Sequence, residues 1–329
     1  MKICVFGAGA IGGHLATRLA KGGAEVSVVA RGAYLDAIRE RGLTVRALDG
    51  EHHFRPAASA DPAELGPQDA VIVTTKAPAL AQVAEAIGPL LGPDTAVAFV
   101  MNGIPWWYFD RHGGELDGRR LPALDPNDAV RRAIGVERTI GGVVYSSCTV
   151  IEPGVVEVTN KGGRVILGEL DGSLSDRANA LANLFRDGGI LSPVVPDIRA
   201  EIWSKLLGNI SYGPLCVLSR EAGNKTFDDP ATVAAAERMM REGFAIAESL
   251  GVRFDLGMDK RLSLLGASSH KPSILQDLEL GRPMEIDALM TVPLELARLR
   301  GVETPTLDLL IALAVRAAAA AGLYRRQEG

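Results

Sequence analysis

The chain has 329 residues, 47% hydrophobic and 23% charged, which suits a soluble globular protein with room for two domains. Its net charge of -5 gives no basic footprint for nucleic acid. Cys4, Cys148 and Cys216 lie far apart and match no Cys/His ligand spacing, so neither a metal site nor a disulfide framework is expected.

Residues 3–6 form an apolar run, and residues 11–21 follow with helical spacing that places Ile11, Leu15 and Leu19 on one face. Residues 25–30 read as a second strand. Residues 43–47 and 53–57 read as an extra hairpin, 70–74 as a strand, 79–91 as a helix, and 96–100 as a strand ending at Met101-Asn102-Gly103. This β-α-β order predicts a parallel sheet with helices on both faces. Residues 143–150, 154–159 and 164–169 read as successive strands, and 175–187 as a helix.

The segment Leu191-Ser192-Pro193-Val194-Val195-Pro196-Asp197 is the best linker, which divides the chain into domains 1–195 and 196–329. Beyond it only helices are expected, over 201–218, 232–250, 259–265, 273–280, 285–300 and 307–323. The most apolar stretch, 309–323, contains Arg316 and falls short of the roughly 20 residues a membrane span needs. No signal peptide precedes the first strand, so a cytoplasmic protein without a membrane partner is expected. The helix at 307–323 covers either its own core or a partner subunit in a homodimer.

Gly7-Ala8-Gly9-Ala10-Ile11-Gly12 follows a strand and opens a helix, the context in which Gly-x-Gly-x-x-Gly binds a dinucleotide. Gly7 serves the tight turn, Gly9 the approach of backbone amides to a pyrophosphate, and Gly12 close helix–strand packing. The helix N-terminus adds unpaired N–H groups and a favourable dipole. At the end of the second strand stands Arg31, where an acidic residue would hold the ribose hydroxyl of NAD. Arginine suits the 2′-phosphate of NADP. Lys76, after the third strand, supplies a second positive charge.

Lys205 and Asn209 are four apart and share a helical face, with apolar Leu206 and Leu207 around them. A lysine near an apolar surface can act as a proton donor near neutral pH, although a surface lysine with a packed stem fits the same pattern. Glu285 falls in the first turn of a helix that starts after Pro283. The five histidines match no catalytic or metal spacing, and none is assigned a role.

Together these elements resemble the ketopantoate reductase (2-dehydropantoate 2-reductase) family. The matching pieces are the glycine loop, Lys76, Met101-Asn102-Gly103, Trp203-x-Lys205-x3-Asn209, and Ser273-x-Leu275-Gln276-Asp277 through Glu285-Ile286-Asp287. They span nearly the whole chain in the family's order. The resemblance implies an α/β fold: an N-terminal Rossmann-type doubly wound sheet followed by an all-helical domain, 6-phosphogluconate-dehydrogenase-like. It implies Lys205 as general acid, Asn209 and Ser273 as substrate residues, Asn102 at nicotinamide and substrate, and Glu285 at nicotinamide and lysine.

Two family amides lack clear counterparts. Gly213 stands where a second asparagine is usual, and Asn224 is out of register with a later one. The resemblance thus implies a small 2-oxo acid as substrate, with 2-dehydropantoate leading and a different, bulkier 2-oxo acid as the alternative. Trp106-Trp107-Tyr108-Phe109 either line the substrate pocket or staple their own loop. A non-catalytic NADP sensor would need neither Lys205 nor Glu285, and the block from Ser273 to Glu285 speaks against a 3-hydroxyacid or opine dehydrogenase.

Overall fold

The structure is a computed structural model that describes every residue except 162, 255–259, 261–268, 270 and 326–329. It divides into two compact units. The first comprises Met1–Met101 and Trp107–Ile198, and the second Asn102–Trp106 and Arg199–Gly329.

The first unit is built on strands β1 (Lys2–Phe6), β2 (Glu25–Val29), β5 (Ala57–Ser59), β6 (Gln68–Val73), β7 (Leu91–Val100), β8 (Thr139–Tyr145) and β11 (Arg164–Glu169). Their order is β11-β8-β7-β6-β1-β2-β5. All neighbours pair parallel except β11, which runs antiparallel to β8. The central strands are apolar on both faces because both are covered. On one face Ile3 and Val5 of β1 cluster with Leu15 and Leu19 of α1 (Ala10–Lys21) and with Leu181 and Phe185 of the helix Asp176–Asp187. Cys4 and Phe6 alternate to the other face. The chain leaves β1 for β2 on one side and later returns to β6 on the other. The switch point of this doubly wound sheet therefore lies at the carboxyl end of β1.

A second sheet, ordered β4-β3-β10-β9, lies on α1. Its strands are β3 (Leu43–Ala47), β4 (Gly50–Phe54), β9 (Cys148–Glu152) and β10 (Val155–Val158). Val45, Val156 and Val158 form its core. The expected hairpin exists, but its second strand is β4, while residues 57–59 pair with β2 in the main sheet. The strand expected over 143–150 is two strands in different sheets, broken at Ser146-Ser147. Both halves are apolar and no glycine or proline separates them, which is why they read as one run. The helix expected over 79–91 is regular only across Leu80–Ala86, since Pro89 removes a backbone donor and the chain tightens into short turns.

The second unit is helical. Its main elements are Ile198–Ser219 (from residue 199 onward), Pro230–Ser249, Ser273–Glu279, Val292–Arg300 and Pro305–Ala320. The helix expected at 259–265 lies, but for residue 260, outside the described residues. Glu242 accepts hydrogen bonds from the amides of Thr306 and Leu307, closing the start of the last helix. Among the described residues no helix is long and apolar enough to cross a membrane.

Candidate active site

In the first unit the glycine loop sits at the switch point. Gly7 turns at φ +103°, and its carbonyl accepts a hydrogen bond from Thr74 Oγ1 at 2.7 Å. Gly12 packs so tightly that an added Cβ would stand 2.0 Å from the Gly7 carbonyl oxygen. Gly9, the N-cap of α1, has nothing within 4 Å of an added Cβ. No side chain caps the helix there. Helix and strand are therefore in close contact on one side of the loop, and the loop is open at Gly9, whose own amide donates to the Gly7 carbonyl at 2.9 Å, so the amides available to an anion are those of the first helical turn that follows. This cradle fits a pyrophosphate.

Arg31 is exposed at the carboxyl end of β2 as the N-cap of the helix Gly32–Arg41. Its guanidinium donates to Gln82 Oε1 at 3.0 Å. Lys76 is half-buried just beyond β6. Thr74 and Gln82 were not singled out from the sequence. A polar pair after β6 could have signalled the first, whereas nothing local marks Gln82. Trp107, Tyr108 and Phe109 are buried in the first unit, with Tyr108 and Phe109 edge to face at 4.9 Å, so these three are packing residues.

In the second unit three polar side chains meet. Asn102 Oδ1 accepts a hydrogen bond from Lys205 Nζ at 2.7 Å, and Asn102 Nδ2 donates to Glu285 Oε2 at 3.2 Å. An ammonium only donates and a carboxylate only accepts, so the two partners fix the orientation of the amide. Lys205 is half-buried, the two residues that follow it, Leu206 and Leu207, are buried, and Glu285 is only 5% exposed. Glu285 does not lie in the first helical turn as expected. It immediately precedes the first helical residue, Ile286, and its carbonyl accepts the first helical hydrogen bond, from the amide of Leu289.

Asn209 is half-buried one turn beyond Lys205. Ser273 is exposed as the first residue of the helix Ser273–Glu279. Neither hydrogen-bonds to Asn102. At buried Gly213 an added Cβ would approach Ile274 Cγ2 at 3.3 Å and Met290 Cε at 4.0 Å. Asn224 is exposed in the single helical turn Gly223–Thr226.

A doubly wound sheet with an open glycine loop, and a helical unit that holds a lysine, a carboxamide and a glutamate together, define a Rossmann-type oxidoreductase. Residues 3–172 match the family described as Ketopantoate reductase PanE/ApbA, and residues 197–317 its C-terminal counterpart. A 2-dehydropantoate 2-reductase of Mesorhizobium japonicum is 47% identical over 98% of this chain and 100% of its own. A crystal structure of 2-dehydropantoate 2-reductase from Geobacter metallireducens GS-15 superposes with a TM-score of 0.84, at 29% identity over 96% of this chain and 100% of its own. Pyrococcus horikoshii has a 2-dehydropantoate 2-reductase 27% identical over 95% of this chain and 96% of its own. The chain belongs to the ketopantoate reductase family and is an oxidoreductase acting on a CH–OH group.

Proposed function

We propose that the protein reduces a 2-oxo acid to the 2-hydroxy acid with NADPH. The leading case is 2-dehydropantoate to pantoate, a step of pantothenate biosynthesis in the cytoplasm. The observation that carries this reading is the Lys205–Asn102–Glu285 network. The name of the Mesorhizobium relative supports the substrate.

When bound, the dinucleotide supplies hydride to C2 of the oxo acid. The chain's own groups do the rest. Lys205 presents an ammonium to the C2 oxygen, stabilises the negative charge that develops there, and then donates its proton. Asn102 holds that ammonium through Oδ1, and Glu285 fixes the amide through Nδ2. Asn209 and Ser273 hold the substrate, the serine hydroxyl at its carboxylate. The amides of Ala10, Ile11 and Gly12 in the first turn of α1 take the pyrophosphate, those of Gly7, Ala8 and Gly9 being donated to backbone carbonyls. Arg31, steadied by Gln82, and Lys76 take the adenosine-side phosphates.

The test is steady-state turnover. Lys205→Ala should lower kcat by about two to four orders of magnitude and leave the Kd for NADPH nearly unchanged. Activity within about tenfold of wild type would remove the general-acid role. Arg31→Ala should raise KM for NADPH and leave that for NADH unchanged, and an equal effect on both would remove the 2′-phosphate assignment.

A second reading has one observation in its favour. Gly213 offers no side-chain carboxamide, and an added Cβ there would meet only Ile274 and Met290 within 4 Å. A 2-oxo acid with an apolar substituent in place of a hydroxyl suits such a wall. A panel of 2-oxo acids compared by kcat/KM decides between the two.

A further inference from the structure

Asn102 needs its backbone held firmly, because its amide serves two partners at once. The holding group lies at the π turn Asp287–Thr291, ahead of the helix Val292–Arg300. There the amide of Val292 donates to the carbonyl of Asp287, five residues back. In that register the next carbonyl, that of Ala288, would take its hydrogen from residue 293. Residue 293 is proline and has no N–H. The donor comes instead from Ile104, whose amide lies 2.8 Å from the Ala288 oxygen. Between them Gly103 turns at φ +77°, and an added Cβ would stand 2.3 Å from that same oxygen. Wide turns of this kind are common where a helix serves a functional site.

We propose that the π turn, Pro293 and Gly103 form a positioning device for Asn102. The π register and Pro293 together free one carbonyl of the helix. That carbonyl anchors the backbone at 103–104, and the anchor sets Asn102 between Lys205 and Glu285. Ala288, Pro293 and Gly103 are positioning residues that act through Asn102. Their effect on turnover rests on the reductase reading above, whereas the anchoring does not.

Gly103→Ala is the obvious variant, but its Cβ collides with backbone and the chain can fail to fold. An amide-to-ester replacement at Ile104 is cleaner, since it deletes the N–H without adding a side-chain atom, and the Gly103 carbonyl that it weakens is not the anchoring acceptor. In the unliganded ester variant the side-chain amide resonances of Asn102 should shift and broaden. Unchanged resonances would overturn the anchor. In turnover, kcat should fall about tenfold while the Kd for NADPH holds.

Pro293→Ala added to the ester variant gives the Ala288 carbonyl a helical donor again without re-anchoring residue 104. The thermal midpoint should then recover while kcat stays low. Recovery of both would show a merely structural contact and overturn the positioning role. Displaced Asn102 resonances with unchanged kcat would sustain the anchor and remove the role assigned to Asn102 in the reductase reading.

Discussion

Lys205 Nζ donates to Asn102 Oδ1 at 2.7 Å, so the lysine is held by a neutral amide. That amide in turn faces the Glu285 carboxylate through its donor side, at 3.2 Å. Its donor–acceptor polarity is therefore essential. Asn102→Asp replaces the donor with an oxygen that faces Glu285, and two carboxylates then meet at hydrogen-bond distance. Loss of about a hundredfold in kcat is expected, as for removal of one preorganised polar partner. Steady-state rates with a parallel thermal midpoint measure it, and a rate near wild type would show that the polarity is irrelevant.

Gly12→Ala tests the loop. Its Cβ would need to occupy a point 2.0 Å from the Gly7 oxygen, so α1 must move off β1. The expected stability cost is about 1–3 kcal/mol, with cofactor affinity reduced because the α1 amides move as well. Chemical denaturation and a fluorescence titration with NADPH report the two effects separately.

Acid stability should depend on His14. This residue of α1 is 2% exposed, and burial, aided by the nearby Arg18 charge, lowers its pKa from 6.5 to about 4. Above pH 6.5 it is neutral in both states and contributes no pH dependence. As the pH falls through the window from 6.5 to 4, the unfolded chain binds a proton that the folded chain refuses. Stability then drops by about 3 kcal/mol and levels off below that window. His14→Leu should flatten this slope in urea unfolding at pH 7 and at pH 4.5. An unchanged slope would place the acid sensitivity elsewhere. Asp49 adds to the loss at lower pH, since its hydrogen bond from Arg18 holds the carboxyl well below its usual range.

Thiol reactivity should be confined to one cysteine. Burial pushes the Cys4 thiol up to about 12, and it raises that of buried Cys216 as well. Cys148 is only half-buried on β9. A native-state titration with a disulfide reagent should modify Cys148 alone, and all three cysteines should react in denaturant. Native labelling of Cys4 would contradict the closed sheet.

Where structure depends on short-range pattern, it was legible in the sequence. The run 3–6, the glycine loop and the helix after it needed only periodicity and turn chemistry. Strand 164–169 emerged with the bounds expected for it. The second sheet was not legible, because β3 and β10 join residues 44–46 to residues 155–157 in parallel and no local signal records that pairing. In the candidate site, Lys205 and Asn102 were named from spacing and resemblance. Ile104 and Ala288 were not, since their contact is between backbone atoms and leaves no side-chain trace. Pro293 acquires its significance only once the π register is known.

The second unit is not a continuous stretch of the gene. Asn102–Trp106 are encoded inside the first unit's sequence, nearly a hundred residues before the rest of the helices begin at Arg199. A truncation that starts at Arg199 would express the helices without the five residues that carry Asn102 and the Ile104 amide. No single cut yields both units intact, so domain exchange between relatives requires three crossovers, after Met101, Trp106 and Ile198. During synthesis, those five residues leave the ribosome early and await helices not yet made.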